Sequence, residues 1–303
     1  MPTVHRRSLL AGSAGLLLLA ACGEQDGEKP GAAGSLRISA IPDQDPELLN
    51  RLYPTLAARF ASVTGHDVKY QPVTDYTAVV RAFEVGDIHL AWMGGLTGVQ
   101  ARNRVRGATA VAQRNIDQDF HSLFIATKAS GLAPFDDVTG LRSLAGRTLT
   151  FGSETSTSGR LMPQHFLQAG GLDQAALKGK PGFSGSHDAT IEAVASGSFE
   201  VGAVNEQVWK ATKAAGKVDL SAVVVLWRTP GYADYHWLAR PDLDTRFGTG
   251  TTQSITDLLL GLDGSKAEDK EVLKLFGAEA FIATTNANYD QIETVARTQG
   301  LLA

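Results

Sequence analysis

The segment RTLTFGSETSTSGRLMPQHFLQ, residues 147–168, joins a short apolar run to an amphipathic one through a loop of glycine and hydroxyl residues. Its first part, 147–152, predicts a buried strand, and the stretch 158–171 predicts a helix that Pro163 interrupts early. The same alternation of short apolar runs and amphipathic stretches extends in both directions from this segment. Because strands separated by helices form βαβ units, the sequence predicts an α/β protein with parallel sheets.

The hydroxyl run in this loop also predicts an anion-binding site. Ser156, Thr157 and Ser158 stand directly at the helix start, with Gly159 after them. A helix start has unpaired N–H groups and about half a positive charge, so hydroxyls beside it form a cradle for an anion. The alternative is an ordinary Ser/Thr N-cap in a polar loop, but a cap needs only one hydroxyl. The pattern is not a Walker A loop, because no Gly-Lys-Ser/Thr follows.

The remaining elements predict two lobes with a cleft between them. Before the quoted segment, strands are predicted at 36–41, 67–73, 88–93, 109–114 and 121–127, with helices at 46–65, 76–86, 98–105 and 135–146. After it come a short strand at 182–185, a helix at 187–197, a strand leading to a helix at 199–211, strands at 220–229 and 234–240, and a helical tail at 252–302. Lobe 1 is expected from residues 36–126 and 234–303, and lobe 2 from 127–233.

The first 21 residues predict an export signal. Arg6 and Arg7 precede an apolar stretch at 9–21, which is too short for a transmembrane helix of roughly 20 residues. The stretch ends in LAACG, which resembles the bacterial lipobox and implies that Cys22 is lipidated; the alternative is an incidental thiol. The arginine pair also resembles a twin-arginine signal, so both export routes stay open. Residues 22–35, rich in glycine and polar residues, predict a flexible tether.

Composition narrows the function further. The chain has 303 residues, of which 43% are hydrophobic, enough to bury a sizeable core. Its formal net charge is −4, which argues against a nucleic-acid partner and requires an anion to be held by local donors. The seven histidines lack metal-ligand spacing, so no metal site is predicted, and Cys22 is the only cysteine. Because of the predicted export signal and the predicted lipid on Cys22, the protein is expected outside the cytoplasm, anchored to the cell membrane.

Five junctions between predicted elements carry the candidate ligand-binding residues. They are Tyr76, Trp92, Met93, Gly94, Ser156, Thr157, Ser158, His187 and Asp234. His187 can donate to an anionic oxygen, although a lone histidine in a first helical turn is also often solvated. Trp92 and Met93 fit core packing equally well. Asp234 is compatible with two roles: it contacts a cationic group of the ligand, or it stabilises the hinge.

At these junctions the sequence resembles the periplasmic binding proteins of phosphonate and phosphite ABC importers. The resemblance covers nearly the whole mature chain, in the motifs SAIPDQDP (39–46), VTDY (73–76), AWMGGLTGVQAR (91–102), FGSETSTSGRLMP (151–163), GFSGSHD (182–188), NEQVW (205–209) and YADYHW (232–237). It implies a type II periplasmic-binding-protein fold, whose two lobes close on the ligand. It also implies a monomer that works with a membrane permease and an ATPase.

The resemblance further implies a role for each part of the site. The hydroxyl run at 156–158 and His187 would hold the oxyanion from lobe 2, and Tyr76 would add a donor from lobe 1. Asp234 matches the acidic residue that takes the amine of aminophosphonate ligands. Family members commonly carry Trp-Tyr-Gly where this chain has Trp-Met-Gly at 92–94, so a tyrosine donor is lost.

The sequence thus predicts a substrate-binding lipoprotein of an ABC importer that captures a small tetrahedral oxyanion. The motifs GGLTGVQAR and GSETSTSGRLMP are similar to those of a branch labelled as selenate importers. Phosphonate, phosphite, phosphate, selenate and sulfate all remain open as ligands.

Two other functions are compatible with the same residues. Ser158, His187 and Asp234 could be read as a hydrolytic triad, but the sequence has no G-x-S-x-G nucleophile elbow, so no enzyme and no cofactor is predicted. A sensory lipoprotein would bind ligand through the same lobes without a permease. Neighbouring permease and ATPase genes would argue against that alternative.

Overall fold

The computed structural model describes residues 34–216 and 218–302. The predicted signal peptide at 1–21, the predicted lipid attachment at Cys22 and nearly all of the predicted tether at 22–35 lie outside the described residues. Among the helices of these two ranges, none has both the length and the apolar character needed to cross a membrane.

Strands and helices alternate along the described chain. Its strands are β1 (Leu36–Ala40), β2 (Val68–Tyr70), β3 (Leu90–Met93), β4 (Thr109–Arg114), β5 (Ser122–Thr127), β6 (Leu149–Phe151), β7 (Gly182–Phe183), β8 (Val201–Asn205), β9 (Val223–Arg228), β10 (His236–Ala239) and β11 (Phe281–Ala283). Its α-helices are α1 (Pro46–Thr64), α2 (Tyr76–Val85), α3 (Gly95–Arg104), α4 (Met162–Ala169), α5 (His187–Ala195), α6 (Glu206–Ala215), α7 (Leu243–Phe247), α8 (Thr251–Leu260), α9 (Ala267–Leu275) and α10 (Asp290–Thr298). A π-helical turn, Thr157–Leu161, leads directly into α4.

These strands form two sheets, as the α/β class requires. The first sheet has the order β11-β4-β10-β3-β1-β2, and the second has the order β7-β6-β8-β5-β9. The chain leaves the first sheet after β4, builds the second from β5 to β9, and returns with β10. Residues between the two sheets are therefore placed to form a binding site.

The prediction of parallel sheets is correct for only part of each sheet. β1 pairs in parallel with β2 and β3, and β6 pairs in parallel with β7 and β8. The pairs that β10, β11 and β5 form are antiparallel. Side chains alternate between faces in the same way whichever direction a strand runs, so the sequence pattern does not encode direction. β10 enters the first sheet from the second one, not through a βαβ crossover within its own sheet.

Two predicted placements need correction. The strand predicted at 121–127 was expected mainly within lobe 1, but β5 pairs with β8 and β9 in the second sheet. Its run of buried side chains fits either sheet, and only its pairing partners decide to which sheet it belongs. The tail predicted as helical at 252–302 also contains β11, which pairs with β4 through Phe281 and Arg114. A three-residue edge strand is too short to give a sequence pattern of its own.

Side-chain caps fix the starts of two helices that lie near the site, α1 and α2. The Asp45 side chain accepts from the Glu47 amide at 2.8 Å and Pro46 occupies the first turn of α1. The Asp75 side chain accepts from the Ala78 amide at 2.8 Å and fixes the start of α2. The helix starts near the site are thus set by local sequence.

Each sheet has its own hydrophobic core. On β5, Phe124 packs in one buried cluster while its neighbours Leu123 and Ile125 pack in another, so the second sheet is covered on both faces. In the first sheet, Trp237 is fully buried and its ring lies 5.6 Å from that of Trp92. These cores hold the strand ends that carry the site.

One close approach joins α3 to β10. Gly98 faces the ring of His236 so closely that a β-carbon at position 98 would lie 2.2 Å from the ring Nε2. The His236 ring also contacts Tyr289, with ring centroids 4.0 Å apart. Only a residue without a side chain fits α3 against β10 at this point.

We therefore expect Gly98→Ala to lower the free energy of unfolding by about 1–3 kcal/mol, because overpacking outweighs the better helix propensity of alanine. Urea denaturation measures this loss. The double variant Gly98→Ala/His236→Ala removes the clash, so its loss should be smaller than the sum of the two single losses. Strictly additive losses would show that the ring does not meet the new β-carbon.

Candidate ligand-binding site

The hydroxyl run lies in the π-helical turn between β6 and α4. The Ser156 hydroxyl caps this turn by accepting from the Gly159 amide at 2.9 Å, and the Leu161 amide donates to the Ser156 carbonyl at 3.0 Å. Ser156, Thr157 and Ser158 are each at most 2% exposed. Single π-helical turns recur at functional sites. The alternative of a Ser/Thr N-cap is thus met by Ser156 alone, and capping does not account for the buried hydroxyls of Thr157 and Ser158.

Two members of this run connect the turn to other elements. The Thr157 hydroxyl accepts from the Leu96 amide at 2.9 Å, which joins the turn to the start of α3, directly after β3 of the first sheet. The Ser158 carbonyl accepts from the Ser122 hydroxyl of β5 at 2.8 Å. The position of the turn is thus fixed from both sheets.

His187 is placed by the next helix start. The Ser186 hydroxyl accepts from the Ala189 amide at 3.2 Å and caps α5, which puts His187 in the first turn with no exposed surface. A solvated first-turn histidine, the alternative considered from the sequence, is therefore wrong. A β-carbon at Gly159 would lie 3.0 Å from the His187 Cε1 atom, so the imidazole packs directly on the π-helical turn.

The hydrogen bonds of His187 determine its tautomer. Its Nδ1 accepts from the Asn205 amide at 3.3 Å, and burial lowers the pKa of the imidazole to about 3. The ring is therefore neutral at physiological pH and carries its proton on Nε2. That Nε2–H is buried and has no hydrogen-bond partner among the described residues. It is a fixed donor.

Tyr76 contributes its hydroxyl from the first lobe. It opens α2, is 2% exposed, and its hydroxyl has no hydrogen-bond partner within the described ranges. Burial, and then the Asp43 carboxyl, raise its pKa well above the usual range, while the nearby Ser156 hydroxyl lowers it. The phenol therefore stays protonated and can donate.

Asp234 lies in the segment that returns from the second sheet to the first. Its Oδ1 accepts from the Gly95 amide at 2.9 Å, and its own amide donates to the Asp117 carbonyl at 3.0 Å. Its Oδ2 is buried without a partner in the described part of the chain. Burial raises the pKa of the carboxyl to about 7, while the hydrogen bond from the Gly95 amide and the nearby Thr157 hydroxyl lower it. Asp234 thus braces the start of α3 with one oxygen and keeps the other free.

Trp92, Met93 and Gly94 end β3 beside Asp234. The Trp92 ring stacks on Tyr235 at 5.7 Å, and Met93 is fully buried. A β-carbon at Gly94 would lie 3.1 Å from Thr157 Oγ1, so glycine allows the turn to approach. The side chains of Trp92 and Met93 pack in the core, and a direct part in binding remains a prediction for all three residues.

Sequence reasoning missed three polar residues at strand ends. Asp43 follows β1, is 5% exposed, and has a pKa raised by burial to about 6. The Asn205 side chain, at the end of β8, donates to the Tyr235 hydroxyl at 3.0 Å. Ligands of open α/β sheets bind outside the carboxyl ends of strands, a rule that could have identified Asp43 and Asn205. Tyr235 precedes β10, so this rule does not point to it, and only its place in the motif YADYHW could have.

Two hydrogen bonds join the lobes next to His187. The His187 amide donates to the Asp43 carbonyl at 3.1 Å, and the Asp45 amide donates to Asp188 Oδ2 at 2.7 Å. Asp43 and Asp45 follow the first sheet, whereas His187 and Asp188 begin α5 beside the second. The lobes are therefore in contact, which accounts for the burial of the candidate residues.

A separate cavity of about 470 Å³ lies between the start of α1 and helices α5 and α6. Its lining includes Asp45, Arg51 and Asp188, but none of the nine predicted ligand-binding residues. The polar groups that converge on the π-helical turn belong to a different, enclosed place in the molecule.

The geometry does not support a hydrolytic triad. In such a triad a carboxylate accepts from histidine Nδ1–H and the histidine activates the serine. Here His187 Nδ1 accepts from the Asn205 amide, and the bonded oxygen of Asp234 contacts the Gly95 amide. Within the described residues no group of three or more histidine, cysteine, aspartate or glutamate side chains is placed to hold a metal ion.

The chain is similar to known proteins over most of its length. Residues 38–289 match the family described as "ABC transporter, phosphonate, periplasmic substrate-binding protein". The chain is 41% identical over 263 residues to the "Probable ABC transporter phosphite binding protein PhnD1" of Prochlorococcus marinus strain MIT 9301, a match that covers 86% of this chain and 89% of that protein.

Two solved structures share the fold. The structure of PhnD1 from Prochlorococcus marinus MIT 9301 in complex with methylphosphonate gives a TM-score of 0.87 at 40% identity, covering 89% of this chain and 100% of that chain. A binding protein component of an ABC phosphonate transporter from Pseudomonas aeruginosa gives 0.76 at 20% identity, covering 88% and 86%, and this likeness concerns the fold alone. The predicted type II periplasmic-binding-protein fold is confirmed.

Proposed function

The chain belongs to the family of periplasmic substrate-binding proteins of phosphonate ABC transporters, and we propose that it binds phosphite or a small phosphonate at the π-helical turn. As a member of this family it is an extracytoplasmic binding component of a transporter, a class that is not enzymatic. The relatives described above favour a phosphorus oxyanion over selenate or sulfate.

One observation supports this site most strongly. Three predicted residues, Tyr76, His187 and Asp234, each bring a side-chain polar atom that is buried and unpaired in the described residues. Buried polar groups in proteins are nearly always hydrogen-bonded, and each unpaired one costs about 1–3 kcal/mol. His187 packs on Gly159 of the π-helical turn, Asp234 lies with Thr157 beside Gly94, and Tyr76 lies near the Ser156 hydroxyl. A small ligand with several oxygens would pair all of them at once.

The turn supplies donors of its own. The amides of Thr157 and Ser158 open a helix, where N–H groups lack intrahelical partners and the helix dipole favours negative charge. Together with the Tyr76 hydroxyl and His187 Nε2–H they surround an oxyanion with neutral donors. Each hydrogen bond to a charged oxygen contributes roughly 1.5–3 kcal/mol. The site therefore needs no lysine or arginine contact to hold an anion.

Binding of the ligand also controls the closure of the two lobes. Tyr76 belongs to the first lobe and His187 to the second, so an oxyanion that bonds to both favours the closed arrangement. A ligand shifts this equilibrium only by its difference in affinity for the two states. We propose that a permease and its ATPase recognise the closed state. We further propose that Cys22 carries the lipid that keeps the protein, as a monomer, at the membrane.

Isothermal titration calorimetry tests the ligand class. The purified protein should bind methylphosphonate and phosphite with one site per chain, and L-arginine at the same concentrations should give no heat of binding. An absence of binding by both phosphorus oxyanions, with a folded protein by circular dichroism, would refute the proposed function.

Tyr76→Phe separates a binding role from a structural one. The variant should bind methylphosphonate about 10-fold more weakly or worse, because it loses a donor to a charged oxygen. Its ligand-free unfolding free energy should be unchanged or slightly higher, because a buried hydroxyl with no partner is removed. Calorimetry and urea denaturation measure the two effects. A large stability loss with unchanged affinity would show that the hydroxyl serves the fold.

A further inference from the structure

Asp188 follows His187 in the first turn of α5, yet it borders a different space from the ligand site. It lines the cavity of about 470 Å³ between α1, α5 and α6, which none of the nine predicted ligand-binding residues lines. The motif GFSGSHD, at 182–188, ends on this residue, and the role proposed for the histidine of the motif leaves the aspartate without one.

The two carboxylate oxygens of Asp188 have neighbours in different lobes. Oδ2 accepts from the backbone amide of Asp45 at 2.7 Å, in the segment that leads from β1 of the first sheet into α1. Oδ1 lies 3.5 Å from the hydroxyl of Thr212 on α6, the helix that follows β8 of the second sheet. The carboxylate is thus oriented from its own lobe by one oxygen and bonded to the other lobe by the second.

The negative charge of Asp188 suits both of the helix starts that it joins. The residue lies in the first turn of α5, and its partner Asp45 is the N-cap residue of α1, a helix of 19 residues. Helix N-termini have unpaired N–H groups and about half a positive charge, so a carboxylate beside them is stabilising. Hydrogen bonds to an ionised oxygen are also roughly twice as strong as those between neutral groups.

We propose that Asp188 is a positioning residue that latches the closed lobes, and that it thereby raises the affinity for every ligand of the site without contacting the ligand. The latch is the bond between Asp188 Oδ2 and the Asp45 amide. This inference rests on the proposed function and assigns part of the stability of the closed state to one carboxylate. Opening of the lobes breaks the latch together with the bond from the His187 amide to the Asp43 carbonyl. Because a bound ligand leaves through the open state, the latch slows its release.

Asp188→Ala should weaken the binding of methylphosphonate and of phosphite by the same factor, about 10-fold, because one hydrogen bond to a charged oxygen is lost. Calorimetry gives the two affinities. Stopped-flow tryptophan fluorescence should show the loss in the dissociation rate, with the association rate unchanged. Asp188→Asn keeps an acceptor for the Asp45 amide and should recover part of the affinity. Glu192→Gln, exposed on the same helix and lining the same cavity, is the control and should bind as the wild type does.

The donor of the latch can be removed separately, because it is a backbone amide. Asp45→Pro deletes this N–H, and the φ of −45° at position 45 lies near the range that proline requires. Asp45→Ala keeps the N–H and, like the proline variant, loses the carboxylate that caps α1. Asp45→Pro should therefore bind methylphosphonate about 10-fold more weakly than Asp45→Ala. In an Asp188→Ala background the two variants should bind equally well, because the latch is already lost.

Hydrogen exchange tests the latch without any ligand. The Asp45 amide donates to Asp188 Oδ2, so it should exchange with solvent at least about 10-fold more slowly in the wild-type protein than in Asp188→Ala. NMR spectroscopy of the two ligand-free proteins measures this difference. Equal exchange rates would overturn the proposal.

The remaining outcomes are distinguishable. An affinity of Asp188→Ala within about twofold of the wild type overturns the latch, and so does a loss that differs by more than about fivefold between the two ligands, which would indicate direct contact. If Asp188→Ala does not fold, the comparison of Asp45→Pro with Asp45→Ala decides. If the wild-type protein binds neither methylphosphonate nor phosphite, the proposed function fails, and the exchange of the Asp45 amide still decides whether the latch exists.

Discussion

His187→Ala is expected to weaken methylphosphonate binding by about 10- to 150-fold, the equivalent of roughly 1.5–3 kcal/mol for one hydrogen bond to a charged oxygen. The ring is fully buried, its Nδ1 is bonded to the Asn205 amide, and its Nε2–H is unpaired in the described structure. The variant therefore loses a donor that is already oriented before the ligand arrives. Calorimetry of the purified variant gives the change in Kd directly.

Two further variants make this prediction specific. His187→Gln can place an amide N–H near the position of Nε2, so it should lose less affinity than the alanine variant. His165→Ala, on α4 and only partly buried, should leave the affinity unchanged. A folded His187→Ala protein whose Kd stays within about twofold of the wild-type value would remove His187 from the site.

Asp117→Ala is expected to lower the free energy of unfolding by about 3–5 kcal/mol, because it leaves a buried guanidinium without its counter-charge. Arg114 donates to both carboxylate oxygens of Asp117 at 2.8 and 2.6 Å, and the Asp117 side chain is 0% exposed. The Arg114 guanidinium also lies 4.9 Å from the ring centroid of Tyr235, beside the site. Urea denaturation followed by tryptophan fluorescence measures the loss.

A surface ion pair provides the matched control for Asp117→Ala. Glu84 pairs with Arg104 at 3.1 Å, and both side chains are more than 40% exposed. Glu84→Ala should therefore lower the free energy of unfolding by less than about 1 kcal/mol. Losses of the same size in the two variants would show that the Arg114–Asp117 pair behaves as an exposed one.

The sequence pattern identified the helix starts at the site because capping and hydroxyl clustering are local features. Asp75 caps α2, Ser156 caps the π-helical turn and Ser186 caps α5, as side-chain hydrogen bonds in the structure demonstrate. The buried hydroxyls at 157 and 158 exceed what a cap requires, which was the sequence argument for an anion site. These parts depend on neighbouring residues only.

Other parts depend on distant partners and had no local signal. β5 belongs to the second sheet because of its pairing with β8 and β9, and its own residues fit either sheet. The proton of His187 is placed on Nε2 by the Asn205 amide, 18 residues along the chain. The Gly95 amide, 139 residues away, donates to one oxygen of Asp234, and the other oxygen stays unpaired. Such long-range contacts decide which tautomer a histidine adopts and which carboxyl oxygen stays unpaired.

A crystal structure of the protein with bound methylphosphonate tests the central claim most directly. The phosphonate oxygens should lie within about 3.2 Å of Tyr76 Oη, His187 Nε2 and Asp234 Oδ2, beside the amides of the π-helical turn. A ligand found instead in the cavity between α1, α5 and α6, with those three atoms still unpaired, would contradict the account.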